Sequence, residues 1–285
     1  MDSEAGEKDG KPSAPGSAPS RSGILPVYDT EFLMRPEMRT IRFALEYSKA
    51  DLLLRDWGIR STIIVFGGAR CLSPELAQAP PAGLSPEKIK RQLGWYEAAR
   101  LFGQIASLRG GAFAPRNRWR DNVIATGGGP GLMEAANRGA DDVGAPSIGF
   151  NIALPHEQKP NAYITPELTF QFHYFAMRKM HLAMRANALI VFPGGFGTFD
   201  ELFELLTLRQ TGKAPPIPVV LFDEDYWRRA VGFETLIEEG MIERRDLDLF
   251  AFADDAEEVW RKLEAGGVGR HQGEHDEPPG RPAVD

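Results

Sequence analysis

Only one cysteine occurs among the 285 residues, Cys71, so no disulfide can form within the chain. A lone thiol fits a reducing compartment. Without a Cys/His pairing around it, Cys71 reads as a small idle thiol rather than a nucleophile. No run of roughly 18 apolar residues is present, so no transmembrane helix is expected. The opening stretch, MDSEAGEKDGKPSAPGSAPSRSG, has no apolar segment and does not read as a signal peptide. Cytoplasmic placement and no membrane partner are the expectation. Positive charge is scarce as well, with 33 Lys and Arg against 40 Asp and Glu and a net charge of −7. Binding to a phosphate backbone wants a basic surface, so nucleic acid is not expected as a partner. The common chemical signatures are also missing. There is no G-x-x-x-x-G-K-[ST], GGGPGL and GGFGTFD both fail G-x-G-x-x-G at the last glycine, and there is no G-x-S-x-G. His156-Glu157 lacks the second histidine of H-E-x-x-H, and no metal is expected.

What is present is a core-forming middle. Hydrophobic residues make up 42% of the chain. The Gly-, Ser-, Pro- and charge-rich ends, 1–27 and 264–285, read as disordered tails, leaving one domain over 28–263. Residues 28–60 read as mostly helical with a break near Pro36. STIIVF, NVIAT, SIGFNIAL, NALIVF and PIPVVLFD are continuous apolar strands, the last of them closing the series. Helical patterns separate them: WYEAARLFGQIASLRG, LMEAANRGADD, AMRKMHLAMRA and TFDELFELLTLRQTGK. Apolar strands alternating with helices indicate an α/β fold, a single Rossmann-like doubly wound parallel sheet with helices on both faces.

In such sheets ligands bind beyond the carboxyl ends of the strands. Three glycine clusters fall there: Gly67-Gly68, Gly127 to Gly131, and Gly194 to Gly197. Glycine lets a backbone come close to a ligand, and a following helix offers free N–H groups, so the physics favours an anion. Thr198 adds a hydroxyl. Thr198-Phe199-Asp200-Glu201 also matches a capping box, which alone would account for Glu201. Asp200 and Glu201 point about 100° apart on a helix, so at most one of them faces a ligand. Arg178 and Lys179 sit among apolar residues, either as a solvated stripe or, for Arg178, as a fork suited to phosphate.

Together these segments resemble the LOG (Lonely Guy) family, long labelled lysine decarboxylase-like. The residues that carry the resemblance are PGGFGTFDE (Pro193 to Glu201) against the family's PGGxGTxxE, the Arg178-Lys179 pair, and TGGGPGLMEAANRGA (Thr126 to Ala140). Short plant-type members carry M-H-x-R-K where this chain has Phe175-Ala176-Met177-Arg178-Lys179, which resembles the longer bacterial branch. The resemblance implies hydrolysis of the N-glycosidic bond of a nucleoside 5′-monophosphate, AMP-like or a cytokinin riboside monophosphate, to free base and ribose 5-phosphate. It implies Arg178 and Glu201 as the catalytic pair, Gly194, Gly195, Gly197 and Thr198 at the phosphate, and Gly127, Gly128, Gly129 and Gly131 lining the same pocket. No cofactor is implied. The polar stretch ALPHEQKPNAYIT is expected on the base or ribose side, and a homodimer or larger homo-oligomer joined through the FQFHYFAMRKMHLAM helix is expected. A non-catalytic nucleotide binder on the same fold is the alternative. A pyridoxal-phosphate decarboxylase would need a marked Schiff-base lysine, and neither Lys159 nor Lys179 is marked.

Overall fold

A computed structural model of the chain describes residues 21–153 and 159–269. Contacts divide the chain between Leu45 and Glu46. That boundary falls inside a helix, within the 28–60 stretch read as mostly helical. In the first unit, α1 (Thr30–Leu33) is capped by Asp29, whose carboxylate accepts from Phe32 N–H. A bend at Arg35-Pro36 follows, where Pro36 opens a 3-10 turn and cannot continue a helix. Arg42 donates to the carbonyls of Leu33 (2.6 Å) and Arg35 (2.8 Å) across that bend. Helix α2 (Arg39–Asp56) leads into the second unit.

The second unit carries β1 (Thr62–Phe66), α3 (Pro86–Gly110), β2 (Val123–Thr126), α4 (Leu132–Asp142), β3 (Ser147–Ile152) and β4 (Thr169–Phe172). Then follow α5 (Phe175–Met184), β5 (Ala186–Val191), α6 (Phe196–Gln210), β6 (Val219–Phe222), α7 (Glu224–Ala230), α8 (Phe233–Glu238), β7 (Ala251–Ala253) and α9 (Ala256–Ala265). The strands form one 7-stranded sheet in the order β4-β3-β2-β1-β5-β6-β7. Every pairing is parallel.

Alternation along each strand divides the apolar residues between two layers. Ile63, Val65, Ile124 and Ile190 pack with Tyr96 and Phe102 of α3, Leu132 of α4 and Trp260 of α9. Ile64, Phe66, Phe150 and Leu189 pack on the other side with Leu54, Leu182, Leu202 and Trp227. The centre of the sheet is therefore a buried layer between helices, which explains inner strands such as TIIVF that are apolar at consecutive positions, while the edge strands β4 and β7 are only partly buried. Each wholly buried side chain of this kind contributes about 1.5–3 kcal/mol.

Two expectations need correction. PIPVVLFD is not the last strand, because β7 adds an edge with AFA, three residues too short to show a period. The domain also passes residue 263, since α9 runs to Ala265 and Val268 beyond it is buried. Of the expected tails, 1–20 and 270–285 lie outside the described residues. No helix among the described residues is long and apolar enough to cross a membrane.

Strand order sets the position of the site. The chain steps outward from β1 to β4, then returns to lay β5 on the other side of β1. The loops after β1 and β5 therefore leave the sheet side by side and in opposite directions, the geometry that opens a crevice at a switch point.

Candidate active site

A cleft of about 930 Å³ lies at that switch point, lined by Gly67 to Cys71 after β1 and by Pro193 to Glu201 after β5. The two loops are joined, because Gly68 N–H donates to Pro193 O at 2.9 Å. The Tyr226 hydroxyl donates to Gly194 O at 2.5 Å. Both peptide units are trans, so tying their carbonyls turns the N–H groups of Gly194 and Gly195 the opposite way. Those two N–H groups, and those of Phe196 and Gly197 in the first turn of α6, make no hydrogen bond among the described residues. Free amides on the positive end of a 15-residue helix form an anion-binding feature.

Helix α6 begins at Phe196 with Gly195 as its cap, and no side chain caps it. The capping-box reading of Glu201 is therefore wrong. Thr198 already lies inside the helix, its N–H bonded to Gly195 O at 2.9 Å, and it is buried against Gly194. Glu201 stands one turn further in and faces Arg178 of α5 instead, with Oε1 4.0 Å from Nη1 and both side chains close to 10% exposed. Asp200 diverges as helical geometry requires. Its carboxylate meets Lys179 Nζ at 2.8 Å, and Glu204 meets the same ammonium at 2.6 Å. The Lys179 side chain is held outside the cleft, which is lined by no lysine.

Arg178 is not a solvated stripe. It is buried, and its Nε donates to Phe150 O of β3 at 2.9 Å. Burial lowers its pKa, against the pull of Glu201 and Asp200. Burial also pushes the Glu201 carboxyl up to about 7, outweighing the attraction of Arg178 and Lys179 that would lower it. A carboxyl poised near neutrality at the floor of a cleft suits proton transfer. Cys71 is inert, because burial raises its thiol to about 12 while Sγ donates to Gln92 O.

The first glycine loop does not line the cleft, contrary to the sequence expectation. Gly127 lies behind Arg178, and a Cβ there would stand 2.6 Å from the guanidinium. Gly128 (φ +73) packs on the Asn151 side chain, and its N–H donates to Thr126 Oγ1 at 2.9 Å. Asn161 donates its side-chain amide to Gly129 O at 3.1 Å and to Asn137 Oδ1 at 3.0 Å. Gly131 (φ +71) lets Gly68 O approach within 2.3 Å of where a Cβ would be. Gly128 N–H and the carbonyls of Gly128 and Gly129 are therefore satisfied inside the protein, whereas the N–H groups of Gly127, Gly129 and Gly131 make no hydrogen bond among the described residues. Of the expected base-side stretch, 154–158 lies outside the described residues, and Asn161 braces the loop rather than lining the cleft. Sequence reasoning also missed lining residues contributed from a distance, Trp95 of α3 and Tyr226 of α7. Asp223, at φ +71, ties these two together by accepting from Trp95 Nε1 and from Tyr226 N–H. Among the described residues no group of His, Cys, Asp and Glu could hold a metal.

Comparison with known proteins bears on this geometry. The family described as "Possible lysine decarboxylase" matches residues 133–263. A cytokinin riboside 5′-monophosphate phosphoribohydrolase of Arabidopsis thaliana is 30% identical over 155 residues, covering 53% of this chain and 70% of that protein.

The chain belongs to the LOG family.

A second Arabidopsis thaliana member of the same description is 28% identical over 182 residues, 57% of this chain and 82% of that protein. A "Probable cytokinin riboside 5'-monophosphate phosphoribohydrolase" of Oryza sativa subsp. japonica is 30% identical over 145 residues; this LOG-family chain spans 62% of its length. Among solved structures, the molybdenum cofactor binding protein from the phototrophic bacterium Rippkaea orientalis aligns with a TM-score of 0.44 and 19% identity over 72% of this chain and 97% of that one.

Proposed function

We propose that this LOG-family protein hydrolyses the N-glycosidic bond of a nucleoside 5′-monophosphate, releasing the free base and ribose 5-phosphate. The observation that carries the reading is Glu201, a buried carboxyl raised to about 7, set beside Arg178 at the floor of the cleft and one turn below the free amides of α6. The phosphate occupies the Gly194, Gly195, Gly197 and Thr198 loop, which holds the ribose against Glu201. Well-oriented reactants lower an effective barrier by about 7–11 kcal/mol. Cleavage develops positive charge at C1′, as in glycoside hydrolysis. The Glu201 carboxylate stabilises that charge and takes a proton from the attacking water, whose oxygen bonds to C1′ as the C–N bond breaks. The departing base carries off the bonding pair and takes up the proton that the water gave to Glu201, which restores the carboxylate. Arg178 favours the negative charge on the leaving group and holds Glu201 ionised as the transition state forms. With no lysine in the cleft to form a Schiff base, decarboxylation in the sense of the older family label gains no support.

We also read the outer face of α5 and the tip of α6 as the contact between two copies of the chain. Phe196 is 97% exposed at the start of α6, and Met180 and Met184 are exposed on α5. Light scattering after size-exclusion chromatography tests this, and a Phe196→Ser variant should shift a dimer toward monomer.

Incubation with AMP, GMP, CMP and isopentenyladenosine monophosphate, followed by chromatography of free base, tests the activity. Base release by the wild type and its loss in Glu201→Gln support the hydrolase and rank its substrates. Binding of AMP with no base released by any nucleotide would make the protein a binder instead.

A further inference from the structure

We propose that Arg70 supplies the full positive charge that holds the substrate's phosphate monoester, acting from the loop after β1 on a dianion seated on the loop after β5. The proposal rests on the N-glycosidase reading and adds to it a residue outside both glycine motifs. The charged side chains lining the cleft are Arg70, Arg178, Asp200 and Glu201. Arg178 is committed to Phe150 O and Glu201 and is buried on the floor. Asp200 is committed to Lys179. Of the two that are exposed, Asp200 and Arg70, only Arg70 makes no hydrogen bond or ion pair with any described residue.

Its backbone is not free, however. Gly68, two residues before it, donates to Pro193 O, and Gly68 O packs against Gly131. Cys71, the residue after it, closes the turn by donating its N–H to Gly68 O at 3.2 Å and anchors Sγ on Gln92 O. Leu72 N–H donates to Gln92 Oε1 at 3.2 Å. The turn is pinned on both sides while the guanidinium is left unengaged beside the phosphate loop. Free amides carry only partial charge. A phosphate dianion is held far better when a planar guanidinium donates to it as well. A cation that folding does not use, fixed at the root and free at the tip, fits that task.

The test uses the full chain as wild type, Arg70→Ala and Arg70→Lys. Calorimetry measures binding of ribose 5-phosphate and of ribose, and steady-state kinetics measures AMP cleavage. Arg70→Ala should weaken ribose 5-phosphate binding and raise KM for AMP, each roughly tenfold or more. It should leave kcat within about threefold and ribose unaffected, since the lost contact is the same in ground and transition states. Arg70→Lys should recover part of the loss, and the melting temperature should not move, because the side chain supports nothing in the fold. Unchanged ribose 5-phosphate binding in Arg70→Ala would overturn the proposal, as would a wild type that does not bind ribose 5-phosphate. A wild type that binds ribose 5-phosphate but cleaves no nucleotide defeats the hydrolase reading alone, and the binding arm still decides Arg70.

Discussion

The two glycine-rich loops that follow β2 and β5 look alike in sequence and do opposite work. GGGPG is turned inward. Thr126 takes up the Gly128 amide, Asn161 takes up the Gly128 and Gly129 carbonyls, and its glycines make room for Arg178, Asn151 and the backbone of Gly68. PGGFG is turned outward. A Cβ at Gly195 or Gly197 would meet nothing within 4 Å, and the amides around them have no partner. Gly194 is the exception, pressed against Thr198. One loop uses glycine for close packing and so sets the position of Arg178. The other leaves its backbone bare toward the cleft. A shared strand–glycine–helix pattern therefore identifies where a site can be, and only what faces each glycine decides which loop serves it.

Substitutions should separate the two roles. The largest effect is expected where the open loop meets the chemistry. Glu201→Gln should lower base release by about 10²–10⁴ while the protein stays folded, read as product formation beside a thermal melt. A comparable loss of rate in a variant of the inward loop with an intact melt would break the contrast. Next comes Gly131→Ala. It combines a left-handed backbone with a carbonyl 2.3 Å from the new methyl and should cost on the order of 3 kcal/mol of stability. Denaturant unfolding measures it, and an unchanged midpoint would show that the inward loop is not held as described.

A third test reads Glu201 through pH. Glu201 is raised from 4.5 to about 7. Its proton is bound more tightly by the folded state, so stability falls as pH rises from about 4.5 through 7. His181 behaves in the opposite sense. It is buried beside the rings of Tyr47, Phe150 and Phe172 and pushed from 6.5 down to about 4, chiefly by burial. Its contribution is lost as pH falls from 6.5 towards 4. Glu201→Gln should therefore gain stability over the wild type near pH 8 and little near pH 5, as melting temperatures at the two pH values would show. The smallest expected effect on stability belongs to Gly197→Ala, within about 0.5 kcal/mol. The same change should weaken ribose 5-phosphate binding by placing a methyl on the open loop. Binding equal to wild type would mean that the phosphate sits elsewhere.

Much of the fold was legible in the chain. STIIVF, NVIAT and NALIVF are apolar at consecutive positions because both of their faces are buried, and that signal is local. β7 was not legible, since three residues carry no period. The pairing of Arg178 with Glu201 was available only through a family resemblance. Read locally, Glu201 matched a helix cap, and the cap failed because α6 starts three residues earlier than the Thr198 signal suggests.

The sequence by itself determined the alternation of strands and helices, the glycines at strand ends and the carboxylate after the β5 loop, since each depends on neighbours a few residues away. The tertiary structure alone decided which glycine loop lines the cleft, that Arg178 is buried against Phe150 O with its charge turned to Glu201, and that Arg70 is left without a partner. Those outcomes depend on β5 lying beside β1, a contact between segments more than 100 residues apart in the chain, and no local pattern specifies which distant surface a residue will meet.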